Sequence, residues 1–144
     1  MTARFAQGIY TVANPEKYVG KRRPRYRSSW EHAFMRFCDT NEHVLQWASE
    51  SISIPYRNPL TGKLTHYVPD FLVVYRNKNQ EIRAELVEIK PSKQSMLSEK
   101  MSRKDRAAVA VNMAKWDAAT KWCKRQGLTF RVVTENEIFR NGSR

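Results

Sequence analysis

Tyr67-Val68-Pro69-Asp70-Phe71 and Val87-Glu88-Ile89-Lys90-Pro91 are the two stretches on which the reading of this chain turns. Each lies in an apolar run rich in β-branched or aromatic residues, Thr65 to Tyr75 and Ile82 to Ile89, so both are expected on strands. Alternate residues of a strand share a face, which projects Glu88 and Lys90 together and Val87 and Ile89 to the other side. If the strand bearing Asp70 lies alongside, its carboxylate meets that of Glu88. Two carboxylates so close raise each other's pKa unless a cation joins them. Mg²⁺, which takes oxygen ligands and is typically held by one or two carboxylates, suits the pair. The expected chemistry is phosphodiester hydrolysis, with Asp70 and Glu88 as metal ligands and the Ile89 carbonyl as a further one. The ion would polarise the phosphate and lower the pKa of the attacking water. Lys90 would orient that water or neutralise charge building on the phosphoryl oxygens.

A second acid comes from upstream. Ser28 or Ser29 is a good N-cap, and Trp30, Phe34, Phe37 and Cys38 recur at helical spacing, so a helix is expected from Ser29 to Asn41. Glu31 falls in its first turn, where the helix dipole favours an anion. If that turn leans into the site, Glu31 would hold a metal-bound water or a second ion. Glu50, just before an expected strand, is an open competitor, whereas Glu85 is set aside because its parity opposes Glu88. His66 shares parity with Asp70 but lies about 13 Å along the strand, and reads as a surface histidine. Taken alone, Glu-x-Lys on an exposed strand is ordinarily an ion pair that contributes little, and the motif is a weak pattern. The separate strands of its halves, the helix acid and the charge of the chain strengthen it.

The remaining segments complete an α/β expectation. Val44 to Ser49 reads as a short turn and Ser51 to Tyr56 as a strand. Asn58-Pro59-Leu60-Thr61-Gly62-Lys63 carries Pro and Gly at turn positions, so the strands beside it should form a hairpin. Pro69, lacking an N–H, is expected at an edge or a bulge of the Thr65 to Tyr75 strand. Ser98 to Gln126 reads as helix, with a core stripe of Val109, Met113, Trp116, Thr120 and Cys123 and Gly127 as its stop. Thr129 to Thr134 is a last strand, followed by a small C-terminal helix or turn. The order helix, three strands, helix, strand gives a mixed central sheet flanked by helices.

The chain has 144 residues, enough for one domain. Residues 28–144 are read as that domain and 1–27 as an irregular basic N-terminal arm unable to pack a core, because Lys17, Lys21, Arg22, Arg23, Arg25 and Arg27 crowd together without an acid. Lysine and arginine number 26 against 14 acids, a formal charge of +12, which points to a polyanionic partner, nucleic acid before acidic lipid. The grip on DNA is assigned to the arm and to Lys93, Lys100, Arg103, Lys104 and Arg106. Such backbone contacts are salt-sensitive and carry no sequence information. No apolar run is long enough for a membrane span, and Met1 to Tyr10 lacks the apolar run of a signal peptide, so an intracellular protein is expected. Cys38 and Cys123 read as buried reduced thiols. Their separation, and the scatter of His32, His43 and His66, offer no zinc spacing.

With Tyr26-Arg27-Ser28-Ser29-Trp30-Glu31, Trp47-Ala48-Ser49-Glu50 and Ile54-Pro55-Tyr56 added to the two opening stretches, the chain resembles the PD-(D/E)xK nuclease superfamily, in the branch of TnsA-type transposon endonucleases. Asn14-Pro15-Glu16-Lys17-Tyr18-Val19-Gly20 and the turn at 58–63 extend the resemblance to the head completion nucleases of T-even-like tailed phages. It covers nearly the whole chain and ends near the last strand. It implies a restriction-endonuclease-like core and Mg²⁺-dependent cleavage of double-stranded DNA, endonucleolytic or exonucleolytic, with Mn²⁺ as a substitute ion. It also implies a place in phage head completion and head-tail joining by trimming packaged DNA, alongside head or neck proteins, in the host cytoplasm and then on the virion. By position, Glu31 matches the helix acid, Asp70 the strand acid, Glu88 the third acid and Lys90 the lysine. The transposon branch often has glutamine at the place of Glu88. The alternative is a non-catalytic structural protein of the head-neck region that binds DNA ends through its charge.

Overall fold

The computed structural model of the chain describes residues 7–91 and 101–134. Its centre is a four-stranded mixed sheet in the order β3 (Val44–Ser49), β6 (Phe71–Arg76), β7 (Ile82–Ile89), β8 (Thr129–Val133). The first three run antiparallel, and β8 lies parallel to β7. A parallel neighbour requires a crossover, which helix α2 (Arg103–Gln126) supplies. Helix α1 (Ser29–Thr40) covers the other face. The α/β architecture with a mixed sheet between helices is therefore as expected.

Strand parity divides the core in two. Trp47, Phe71, Val73, Val87, Ile89 and Val133 point toward Phe34, Met35 and Cys38 of α1. Leu86 points toward Ala119 and Cys123 of α2, together with Ile54, Tyr56 and Tyr67. Those last three come from a hairpin, β4 (Ile54–Arg57) and β5 (Leu64–Tyr67), that forms its own two-stranded sheet on α2. Its turn contains Gly62 at φ +73, the left-handed conformation glycine adopts without strain. Both cysteines are free and buried, as read from their spacing.

Several expectations are corrected. Val44–Ser49 is a strand, not a turn. A register shift between Val44 and Gln46 breaks its alternation, and Trp47, Ala48 and Ser49 are all buried, so no period of two shows. The run from Thr65 to Tyr75 is two strands in two sheets, and Pro69 is buried in the break rather than at a strand edge or bulge. On α2 the buried positions are Val109, Ala119 and Cys123, while Met113 is 43% exposed and Thr120 faces solvent. Small Ala119 lets the helix approach the sheet, a contact that a search for large apolar residues passes over. Helix α2 begins at Arg103 behind the Ser102 cap; residues 98–100 and the expected C-terminal element lie outside the described residues. Among the described residues no helix is long and apolar enough to cross a membrane.

Residues 7–27 pack, contrary to the expectation of an arm unable to do so. Strands β1 (Gly8–Ile9) and β2 (Arg25–Tyr26) pair, Pro15–Lys17 makes a 3₁₀ turn, and Tyr18 bridges to Trp47 at the outer edge of β3. Tyr10, Val12, Tyr18 and Tyr26 lie on the α1 core. The anchor is Asp39, fully buried at the end of α1, which accepts hydrogen bonds from Tyr10 Oη (2.7 Å), Ala13 N (2.7 Å) and Asn14 N (3.0 Å). Burial pushes the Asp39 pKa up, but these donors outweigh it and hold it below the ordinary carboxylate range. Asp39→Ala strands three donors and is expected to cost about 3 kcal/mol, roughly 10 °C in melting temperature. Because the folded pKa is depressed, the native carboxylate contributes stability above about pH 4 that is lost as pH falls through the folded value. Melts of the native chain and Asp39→Ala from pH 7 to 3 should therefore converge on the acid side. A constant gap between them would show that the carboxylate charge is irrelevant.

Candidate active site

The two opening stretches meet at one end of the sheet. Phe71 pairs with Val87, so Asp70, immediately before β6, stands beside Glu88 near the end of β7. The junction is closed by the Ile89 N–H, which donates to Asp70 Oδ2 at 2.8 Å, and by the Glu50 N–H, which donates to the Asp70 carbonyl at 2.9 Å. Glu88 is 6% exposed. The Tyr67 hydroxyl donates to its Oε1 at 2.7 Å, and Lys90 Nζ lies 3.6 Å from its Oε2. Lys90 is itself set by its N–H, which donates to the Val133 carbonyl of β8.

The electrostatics follow from burial. Desolvation, then repulsion from Glu88, pushes the Asp70 pKa up to about 8, against the pull of the Ile89 N–H. Desolvation also raises Glu88, opposed by the Tyr67 hydroxyl and the Lys90 and Lys115 ammoniums. The Tyr67 phenol, desolvated and facing Glu88, is pushed well above its usual range and remains a donor. Two carboxylates thus share a site that favours a proton or a cation over two bare charges. The Ile89 N–H takes Asp70 Oδ2 and the Tyr67 hydroxyl takes Glu88 Oε1, so an ion would meet Asp70 Oδ1 and share Glu88 Oε2 with Lys90.

Glu31 approaches around the end of the sheet. The Ser28 hydroxyl accepts from the Glu31 N–H at 3.1 Å and starts α1, while Glu31 Oε1 accepts from the Arg27 N–H at 2.9 Å, a reciprocal cap. Desolvation raises the Glu31 pKa, opposed by Arg27 and Lys90, and Glu31 in turn raises Asp70. Among the described residues no three His, Cys, Asp or Glu side chains gather closely enough to hold one ion. The close carboxylate set is the Asp70 and Glu88 pair. Hard oxygen donors, a buried Glu88 beside a half-buried Asp70, and a raised affinity for positive charge fit Mg²⁺.

The other sequence candidates are placed as follows. Glu50 sits at the rim with a left-handed backbone, φ 48, and its carboxylate is paired with Arg27. Arg27, read as a DNA contact, is therefore engaged within the chain. Glu85 lies on the α1 face, bonded to the Tyr75 hydroxyl and paired with Arg131, as parity required. Lys21, Arg22, Arg23 and Arg25 are exposed, as are Arg103, Lys104 and Arg106 at the start of α2, whereas Lys93 and Lys100 lie outside the described residues. His66 is exposed on β5. Reading the residues alone missed Tyr67 and Lys115. Tyr67 stood beside the motif, but its partner Glu88 is distant in sequence. Lys115 is one cation among many on α2, and nothing local marks it.

A family model described as TnsA-like endonuclease N terminal matches residues 41–135. That span contains Asp70, Glu88 and Lys90 and begins after α1, outside Glu31. The chain is also similar to the head completion nuclease of Enterobacteria phage T4, at 31% identity over 91% of this chain and 92% of that protein.

Proposed function

The chain belongs to the TnsA-like endonuclease family, and on that premise we propose that it is a metal-dependent nuclease that hydrolyses DNA phosphodiester bonds with little sequence specificity. One observation carries the reading: Asp70 stands beside the buried Glu88, whose carboxylate lies 3.6 Å from Lys90 Nζ, all in the matched span. Asp70 and Glu88, with the Ile89 carbonyl, would hold Mg²⁺ or Mn²⁺. The bound ion supplies Lewis-acid polarisation of the phosphate and a lowered pKa for the attacking water.

The chain's own groups do the positioning. The Ile89 N–H and the Tyr67 hydroxyl fix the two carboxylates before anything binds. Lys90 brings a cation to the place where charge builds on the phosphoryl oxygens. Glu31, outside the close pair, would act through a water. Lys21, Arg22, Arg23, Arg25, Arg103, Lys104 and Arg106 supply sequence-independent contacts to DNA phosphates. The T4 relative's name supports a role in phage head completion; in that role head or neck proteins would be partners and the virion the destination.

The test is cleavage of supercoiled and linear duplex DNA with Mg²⁺, Mn²⁺ or EDTA. Nicking or degradation that needs the ion is expected, and the form of the products separates internal from terminal attack. Retained, salt-sensitive binding of DNA ends without cleavage under either ion would transfer the chain to the structural alternative.

A further inference from the structure

Helix α2 brings a second lysine to the site. Lys115 Nζ lies 5.6 Å from the centroid of the Tyr67 ring and 5.9 Å from that of Tyr56, within range of cation–π attraction. Tyr67 is the residue whose hydroxyl holds Glu88, and the Lys115 charge is felt at Glu88. None of the ion pairs among the described residues includes Lys115. Two ring faces provide no hydrogen-bond acceptors, whereas an ammonium has three donors to satisfy.

The wall opposite cannot supply an anion. The hairpin and its flanks, residues 51–69, contain no aspartate or glutamate, while Arg57 and Lys63 are exposed there. A cation is therefore held on aromatic faces, within electrostatic reach of Glu88 and without an ion pair of its own among the described residues. An incoming phosphate would meet both requirements, pairing with the ammonium and satisfying its donors.

We propose that Lys115, held by Tyr56 and Tyr67, binds a non-bridging oxygen of a backbone phosphate of the DNA strand being cut, on the α2 side of the carboxylate pair. The site takes a phosphodiester anion and positions the strand, while Lys90 serves the reacting phosphate. This rests on the nuclease reading above and deepens it.

Lys115→Met and Lys115→Arg separate this role from simple neutralisation of Glu88. Binding of a short duplex in EDTA is measured across salt concentrations, with cleavage kinetics in Mg²⁺ and melting temperature alongside. Lys115→Met is expected to reduce the slope of log affinity against log salt by about 0.9, the share of one phosphate contact. Its kcat should fall about tenfold or more, with the melting temperature nearly unchanged, and Lys115→Arg should recover the binding slope. An unchanged slope for Lys115→Met overturns the proposal, as does a fall in melting temperature that Lys115→Arg fails to repair. A native chain that binds but never cleaves sinks the nuclease reading instead, and the salt slope still decides whether Lys115 holds a phosphate.

Discussion

Asp70→Asn is expected to lose cleavage by about 10³-fold or more, the equivalent of about 4 kcal/mol of transition-state stabilisation, while raising the melting temperature of the metal-free protein. Both follow from one arrangement. Asparagine keeps an oxygen that can accept from the Ile89 N–H, so the junction of β6 and β7 is retained. What disappears is a partly desolvated negative charge beside Glu88. The folded-state pKa of Asp70 is raised, to about 8, so its contribution to stability is fully present below about pH 4 and lost as pH rises through 8. At pH 8 in EDTA the native chain carries that penalty and Asp70→Asn does not. A gain of about 3 °C or more is expected there, shrinking toward pH 4. Mg²⁺ should raise the melting temperature of the native chain by mass action and leave Asp70→Asn nearly unmoved. If Asp70→Asn melts below the native chain at pH 8, Asp70 is a structural residue, and loss of cleavage in the variant would have no bearing on chemistry.

Lys90→Ala is expected to lower kcat by about 10² to 10³-fold while changing DNA affinity by no more than one phosphate contact. The ammonium sits 3.6 Å from Glu88 Oε2 on a residue whose backbone is pinned to β8, so it is organised before substrate arrives. A preorganised cation of this kind acts on charge that develops in the transition state, which separates kcat from binding. Arginine is a poor replacement: its planar fork is larger and would reach past the position that a compact ammonium occupies. Lys90→Arg should therefore remain about as impaired as Lys90→Ala. Single-turnover cleavage at saturating DNA, with binding measured in EDTA, separates the terms. A variant that loses affinity in proportion to rate would make Lys90 a binding residue only.

Much of the site was legible because it depends on local rules. The parity of β7 placed Glu88 and Lys90 on one face and Glu85 on the other, and each stands where alternation required. The α1 cap at Ser28, and hence Glu31 in the first turn, came from residue type and spacing. What escaped was non-local. The Val44–Ser49 strand is recognisable only through its pairing with β6 and its burial on both sides, because the register shift erased its period. Residues 7–27 looked unable to pack because their charges are conspicuous, while their anchor, Asp39, sits far along the chain.

From sequence alone came the acids, the lysine, their strand parity, the capped helix and a charge suited to a polyanion, since each is carried by a residue type or by contacts within a few residues. Only the tertiary structure decided that Asp70 meets the buried Glu88, that the Tyr67 hydroxyl holds Glu88 with Lys115 over its ring, and that Glu50 is tied to Arg27. Those are contacts between segments distant along the chain, and pKa values, pairing and burial there depend on which neighbours folding brings, a matter that no local pattern encodes.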